Sequence, residues 1–250
     1  MAFQEIADHT KNVIAIAADK EHDKWHKLKE IGLEIAIIVF AVSLSIWFHS
    51  IGEHRHEQQQ VRSFLLGLKR DLRADINQLY IIQNQDNQIE EKLRYLAQVN
   101  SIGDVKQDNF ELAYAIIGKK LQFNPQNSRY EGFTSSGKLI TIENNVLLER
   151  VTKLYQSYLP KVKQSEVEWV QRQDRLQEFL ENDFSGDGDF KHHFALITSR
   201  KGRHLTNRAI DRSELLERYR EYIELGTMII KDIDTSYPNN EKSSFFSQGK

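Results

Sequence analysis

The chain has 250 residues, a formal charge of −2 and 28% charged side chains, so it offers no global basic field for a phosphate backbone, and no nucleic-acid partner is expected. The absence of cysteine excludes disulfides, thiol nucleophiles and thiolate metal sites. Three prolines and twelve glycines leave few helix breakers, and the expected fold class is all-α.

Residues 1–30 form a polar arm with a weak amphipathic pattern, in which Phe3, Ile6, Val13, Ile14 and Ile16 alternate with charged residues. Trp25 and Leu28, among Lys24, Lys27 and Lys29, form an interfacial collar. Residues 31–51, IGLEIAIIVFAVSLSIWFHSI, are long enough to cross a hydrocarbon core of roughly 30 Å as one helix. A cleavable signal peptide is the competing reading, but the long polar region ahead of the stretch and its spanning length favour a retained anchor. Lys20, Lys24, Lys27 and Lys29 precede the span, and Arg55 and Arg62 follow it. That bias places the N-terminus in the cytoplasm and the rest of the chain in the periplasm, on a bacterial inner membrane. Glu34 lies about one turn inside the apolar run, where it either snorkels toward the lysines or makes a contact within the membrane.

From residue 52 onward an extramembrane helical bundle is expected, to about residue 235, followed by a disordered tail over 236–250. Val61, Leu65, Leu68, Leu72, Ile76, Leu79, Ile82, Ile89, Leu93 and Leu96 recur at spacings of three and four, with a single gap of seven across the polar interval 83–88. This near-heptad stripe is either a coiled-coil stalk or one amphipathic helix of the bundle. Residues 100–107 read as a turn and 108–120 as a helix capped by Asp108 with Glu111. Pro125 breaks the pattern, and Ser135, Ser136 and Gly137 close a further helix. A long helix over 143–182 is expected to kink near Leu159, ahead of Pro160, and a last one covers about 207–233.

The loop from Asp183 to Asp189 spaces oxygen ligands like a calcium loop, but its twelfth position is Ala195 where a glutamate is required. His49, Glu53 and His56 share a helix face, as do His22 and His26, without a further ligand at metal-binding spacing. No nucleophile elbow or phosphate loop occurs. No catalytic residue, metal or cofactor is therefore expected. Lys191, Arg200, Lys201, Arg203 and Arg208 make a basic patch between the last two helices, a site for an acidic partner or headgroup unless it is a solvated loop.

The Lys-flanked IGLEI, the stretch VRSFLLGLKRDLRADINQL and the segment YEGFTSSGKLITIENNVLLERVTKLYQSY carry a resemblance over about two-thirds of the chain. Together they resemble an uncharacterised family of small single-pass membrane proteins common in Bacteroidota. Its glutamate within the span corresponds to Glu34, and its tyrosine with a Ser-Ser-Gly turn to Tyr130 and Ser135, Ser136 and Gly137. The resemblance implies architecture and supplies no catalytic residues. The resulting expectation is a non-enzymatic scaffold or accessory subunit that self-associates through its span and the 61–96 helix, with the bilayer and an unidentified membrane or envelope protein as partners. The alternative is a sensory or ligand-binding bundle acting through a separate protein.

Overall fold

The computed structural model describes the backbone of residues 2–182 and 189–238, and the side chains of Leu33 and of residues 35–182 and 189–238. Every regular element among the described residues is helical. The chain divides into two units, residues 1–59 and 60–250. Helix α1 (Ala2–Gln98) supplies the described part of the first unit and the opening helix of the second.

In the first unit, α1 contains one stretch long and apolar enough to cross a membrane. Each side chain of residues 35–50 is exposed, including Phe40 at 67%, so nothing in the described chain covers this apolar surface. His49 Nε2 pairs with Glu53 Oε1 at 3.1 Å on the exposed face that follows.

In the second unit, the 61–96 stripe turns inward. Val61, Leu65, Leu68, Leu72 and Leu79 are fully buried, and Ile82, Ile89, Leu93 and Leu96 nearly so. These side chains pack against their own chain, so they form the core seam of an amphipathic bundle helix and are not available to a second copy. Lys69, Asp75 and Glu90 of α1 meet Asp234, Tyr222 and Arg212 in descending order, which makes α8 (Ser213–Ser236) antiparallel to α1. The pairs Arg150 with Asp232, Glu166 with Tyr219 and Arg172 with Asp211 likewise set α4 (Asn145–Lys153) and α5 (Leu159–Asn182) antiparallel to α8.

Between α1 and α4 the chain returns along the bundle. After α2 (Gln107–Tyr114), residues 119–127 run without regular structure into α3 (Ser128–Ser135). Lys120 pairs with Asp174, Gln126 with Asp75, Arg129 with Asp71 and Lys138 with Gln60. The second unit therefore has one end built from Gln60, residues 138–145 and the C-terminus of α8. Its opposite end holds α2, α6 (Phe190–Thr198) and α7 (Arg200–Ile210) around Phe110, Leu176 and Ile197.

Several boundaries differ from the sequence pattern. Helix α2 stops at Tyr114, not near Lys120, because residues 115–117 tighten into short turns and Gly118 adopts a left-handed φ of 84°. Lys106, not Asp108, occupies its N-cap. Pro160 neither breaks the long helix nor stands alone: Leu154–Tyr158 widen into a π turn between α4 and α5. Leu159 N–H bonds to Leu154 O, which redistributes the backbone bonds just ahead of a residue that cannot donate one. The region expected to be a basic loop contains two helices. Asp189 caps α6 through His192 N–H at 2.8 Å, and Ser199 caps α7 through Gly202 N–H at 3.0 Å. The last helix begins at Ser213 and not at Asn207, since Asp211 and Arg212 leave the helical region. Helix α8 extends to Ser236, and residues 239–250, most of the expected tail, lie outside the described residues, as does 183–188, the core of the calcium-like loop.

Candidate functional site

The interior carries a line of polar groups. The irregular segment 119–127 presents backbone groups that no helix satisfies, and buried carboxylates take them up. Phe123 N–H donates to Glu166 Oε1 at 2.6 Å, Lys163 Nζ donates to Phe123 O and to Glu166 Oε2, and Tyr219 OH donates to Glu166 Oε1 at 2.8 Å. Three residues on, Gln126 N–H and Tyr222 OH each donate to Asp75, both at 2.9 Å. Burial raises the pKa of Asp75 against the lowering effect of those two bonds, and burial also pushes the Tyr219 and Tyr222 hydroxyls well above their ordinary value. The two carboxylate–tyrosine pairs strap the segment to α1, α5 and α8.

A third polar group fills the gap of seven in the α1 stripe. Asp86 lies four residues after Ile82 and three before Ile89, at a seam position, and is 1% exposed. Arg212 Nη1 stands 3.4 Å from Asp86 Oδ2, while its other nitrogens reach Glu90 Oε2 at 2.8 Å and Asn87 Oδ1 at 2.6 Å. Burial lifts the Asp86 pKa to about 6 despite the arginine. Glu90 moves the other way: burial acts to raise it, but hydrogen bonds from Arg94 and Arg212 hold it below the usual value. The spacing 82, 86, 89 is the signal that identifies Asp86 in the sequence; nothing comparable marks Arg212.

The expected site residues are dispersed. Glu34 lies on α1, and its side chain is outside the described residues. Ser135 ends α3, Ser136 Oγ donates to Phe133 O at 2.8 Å, and Gly137, at a φ of 72°, donates to Thr134 O. This is a helix-terminating turn. Of the basic patch, Arg203 is drawn into the framework, donating to Val99 O at 2.9 Å beyond the C-terminus of α1 and to Thr198 O at 3.0 Å. Lys201 lies over the Phe179 ring at 4.7 Å in a groove of about 340 Å³ shared with Arg175 and Glu178. Arg200 and Arg208 are exposed on α7, and Lys191 is exposed on α6. His193 of α6 stacks on Tyr114 at 4.1 Å, where burial lowers its pKa. Among the described residues, no group of three or more His, Asp or Glu side chains gathers as a metal site.

Two further grooves mark the surface. One, of about 590 Å³ between α4 and α8, sets Glu149, Glu217, Glu221 and Glu224 against Arg150 and Lys153, beside Tyr158 and the exposed Met228. The other, of about 400 Å³, lies between the start of the second unit and α3. Its floor is the stacked pair Phe64 and Phe133, with ring centroids 4.0 Å apart. The Arg129 guanidinium at its edge lies flat over Gly67, where a Cβ would come within 2.5 Å of its Cζ, and Nε donates to Asp71 Oδ2 at 2.7 Å. Glycine at position 67 thus lets the guanidinium approach the helix backbone.

Residues 30–178 match the family described as Family of unknown function (DUF6090). The match takes in the apolar stretch, the α1 seam and the strapped segment, and stops before α6. No curated protein and no solved structure matches the chain.

Proposed function

We propose that this chain, which belongs to the DUF6090 family, is a non-enzymatic, single-pass membrane-anchored scaffold or accessory subunit that self-associates through its span. The observation that carries this reading is the contrast between two apolar surfaces on α1. The 61–96 seam is buried in the chain's own bundle, whereas the side chains of 35–50 are exposed along their whole length. The second surface needs lipid, another span, or both. Helix association there rests on close packing, for which Gly32, Ala36 and Ser43 supply small residues. The polar interior supports a non-enzymatic reading, because Asp75, Glu166, Arg203 and Arg212 are engaged in holding backbone segments and helix ends. The lysines ahead of the span support a periplasmic bundle at a bacterial inner membrane, and a membrane or envelope protein is its proposed partner.

Mass measurement of the purified chain in mild detergent tests this. A dimer or higher species that dissociates on dilution agrees with it, and a strict monomer at high concentration removes self-association. A second reading, a ligand-binding bundle, is favoured by the acidic and apolar groove between α4 and α8. A small cation that raises the melting temperature of the wild-type chain, but not of Glu221→Gln, would turn the assignment that way.

A further inference from the structure

We propose that the end of the bundle carrying Gln60 docks on the bilayer surface, with Ile140 entering the lipid interface and the groove beside Lys138 and Arg129 receiving the phosphate of an anionic phospholipid. This inference rests on the anchoring part of the reading above. Ile140, on the short turn Leu139–Thr141, is 82% exposed, the highest value for a large apolar side chain among the described residues. An isolated aliphatic tip held out beside a lysine is unfavourable in water and favourable at a headgroup boundary.

The position of the turn in the chain supplies the second argument. Lys138 Nζ donates to Gln60 Oε1 at 2.6 Å, which ties the turn to the first residue of the second unit. Gln60 follows Ile51, the last residue of the apolar stretch, by nine positions. Such a tether spans at most about 30 Å even when fully extended. The turn is thus confined near the membrane, where weak contacts suffice because the effective concentration is high.

The groove supplies the third. Its charged lining residues are Arg129 and Lys138, no carboxylate lines it, and the hydroxyls of Ser63, Ser128 and Ser136 surround them. Asp71 engages only Nε of Arg129, one of five donors on a guanidinium. Two cations, several hydroxyls and an aromatic floor fit a phosphodiester headgroup with the start of its acyl chains.

The native chain has no cysteine, so Ile140→Cys carries a single polarity-sensitive fluorophore in the full-length protein reconstituted in vesicles. Leu112→Cys, 66% exposed at the opposite end of the bundle, is the reference position. The expected result is a blue shift and quenching by bilayer-borne quenchers at position 140 only, stronger with phosphatidylglycerol than with phosphatidylcholine alone. Lys138→Glu should reduce the docked population by about fivefold or more in the anionic vesicles. A label at 140 that stays in a water-like environment in both compositions overturns docking. Quenching that is indifferent to both phosphatidylglycerol and Lys138→Glu overturns the headgroup assignment. Carbonate washing separates the two claims: a retained chain with a wet label refutes docking alone, and a released chain refutes the anchor.

Discussion

Replacing Arg212 by Met probes the polar seam most sharply. Arg212 is 4% exposed and Asp86 1%, so the substitution leaves a carboxylate in the core without its counter-charge. At about 1.4 kcal/mol per pKa unit, the rise from 3.8 to about 6 means that ionised Asp86 already costs about 3 kcal/mol with the arginine present. Removing one partner of a buried pair typically costs about 3–5 kcal/mol. We expect a loss of that order in urea denaturation of the full chain in mild detergent at pH 8, followed by circular dichroism and by the fluorescence of buried Trp169. The pH dependence has a defined sign. Asp86 is protonated more readily folded than unfolded, so its destabilising contribution grows as pH rises from about 4 to about 6 and persists above. In Arg212→Met that window extends upward, and the deficit at pH 5 should be smaller than at pH 8. Asp86→Leu combined with Arg212→Met should recover at least about 2 kcal/mol relative to the sum of the single changes. A single-mutant loss below about 1 kcal/mol, or a double mutant that is fully additive, would mean that Arg212 does not compensate the buried Asp86 carboxylate.

Other substitutions test the strap and the packing. Tyr222→Phe removes a donor from buried Asp75 and should lower stability by about 1–3 kcal/mol at pH 8, a loss that shrinks as pH falls and Asp75 protonates, because the neutral acid needs the donor less. Its urea midpoint gives the answer. Gly202→Ala places a Cβ 2.1 Å from Leu196 O and 2.8 Å from Ile197 O, both backbone atoms, so relief requires moving α6 away from α7. A loss of about 1–3 kcal/mol is expected, together with faster amide exchange over 190–210. Leu72→Ala, at a fully buried seam position, should cost about 2–5 kcal/mol in the same denaturation assay without changing the mass measured in detergent, since that side chain packs inside its own chain.

The helical class, the apolar stretch and the α1 seam were legible because hydrophobic period and length are written locally in the sequence. The choice between a stalk and a bundle helix was not, since the same stripe serves both, and only burial of Leu65, Leu68 and Leu72 against α8 and its neighbours separates them. Helices α6 and α7 escaped the pattern because each is short and its start depends on a single cap, Asp189 or Ser199. The polar interior was hidden for another reason. Asp75 with Tyr222 and Glu166 with Tyr219 join residues 147 and 53 positions apart, so each half looks like an ordinary surface residue until the bundle closes. Arg203 illustrates the reverse error: it sits in a basic run, yet its guanidinium serves the carbonyls of Ala97 and Val99 at the C-terminal end of α1.

The most direct test of the anchored, outward-facing bundle uses the cysteine-free background. Cells producing Leu112→Cys, and separately Asn12→Cys in the arm, are exposed to a membrane-impermeant thiol reagent before and after lysis. Labelling is expected at position 112 in intact cells and at position 12 only after lysis. Labelling at 12 but not at 112 in intact cells would invert the orientation, and recovery of both variants in the soluble fraction would contradict the anchor itself.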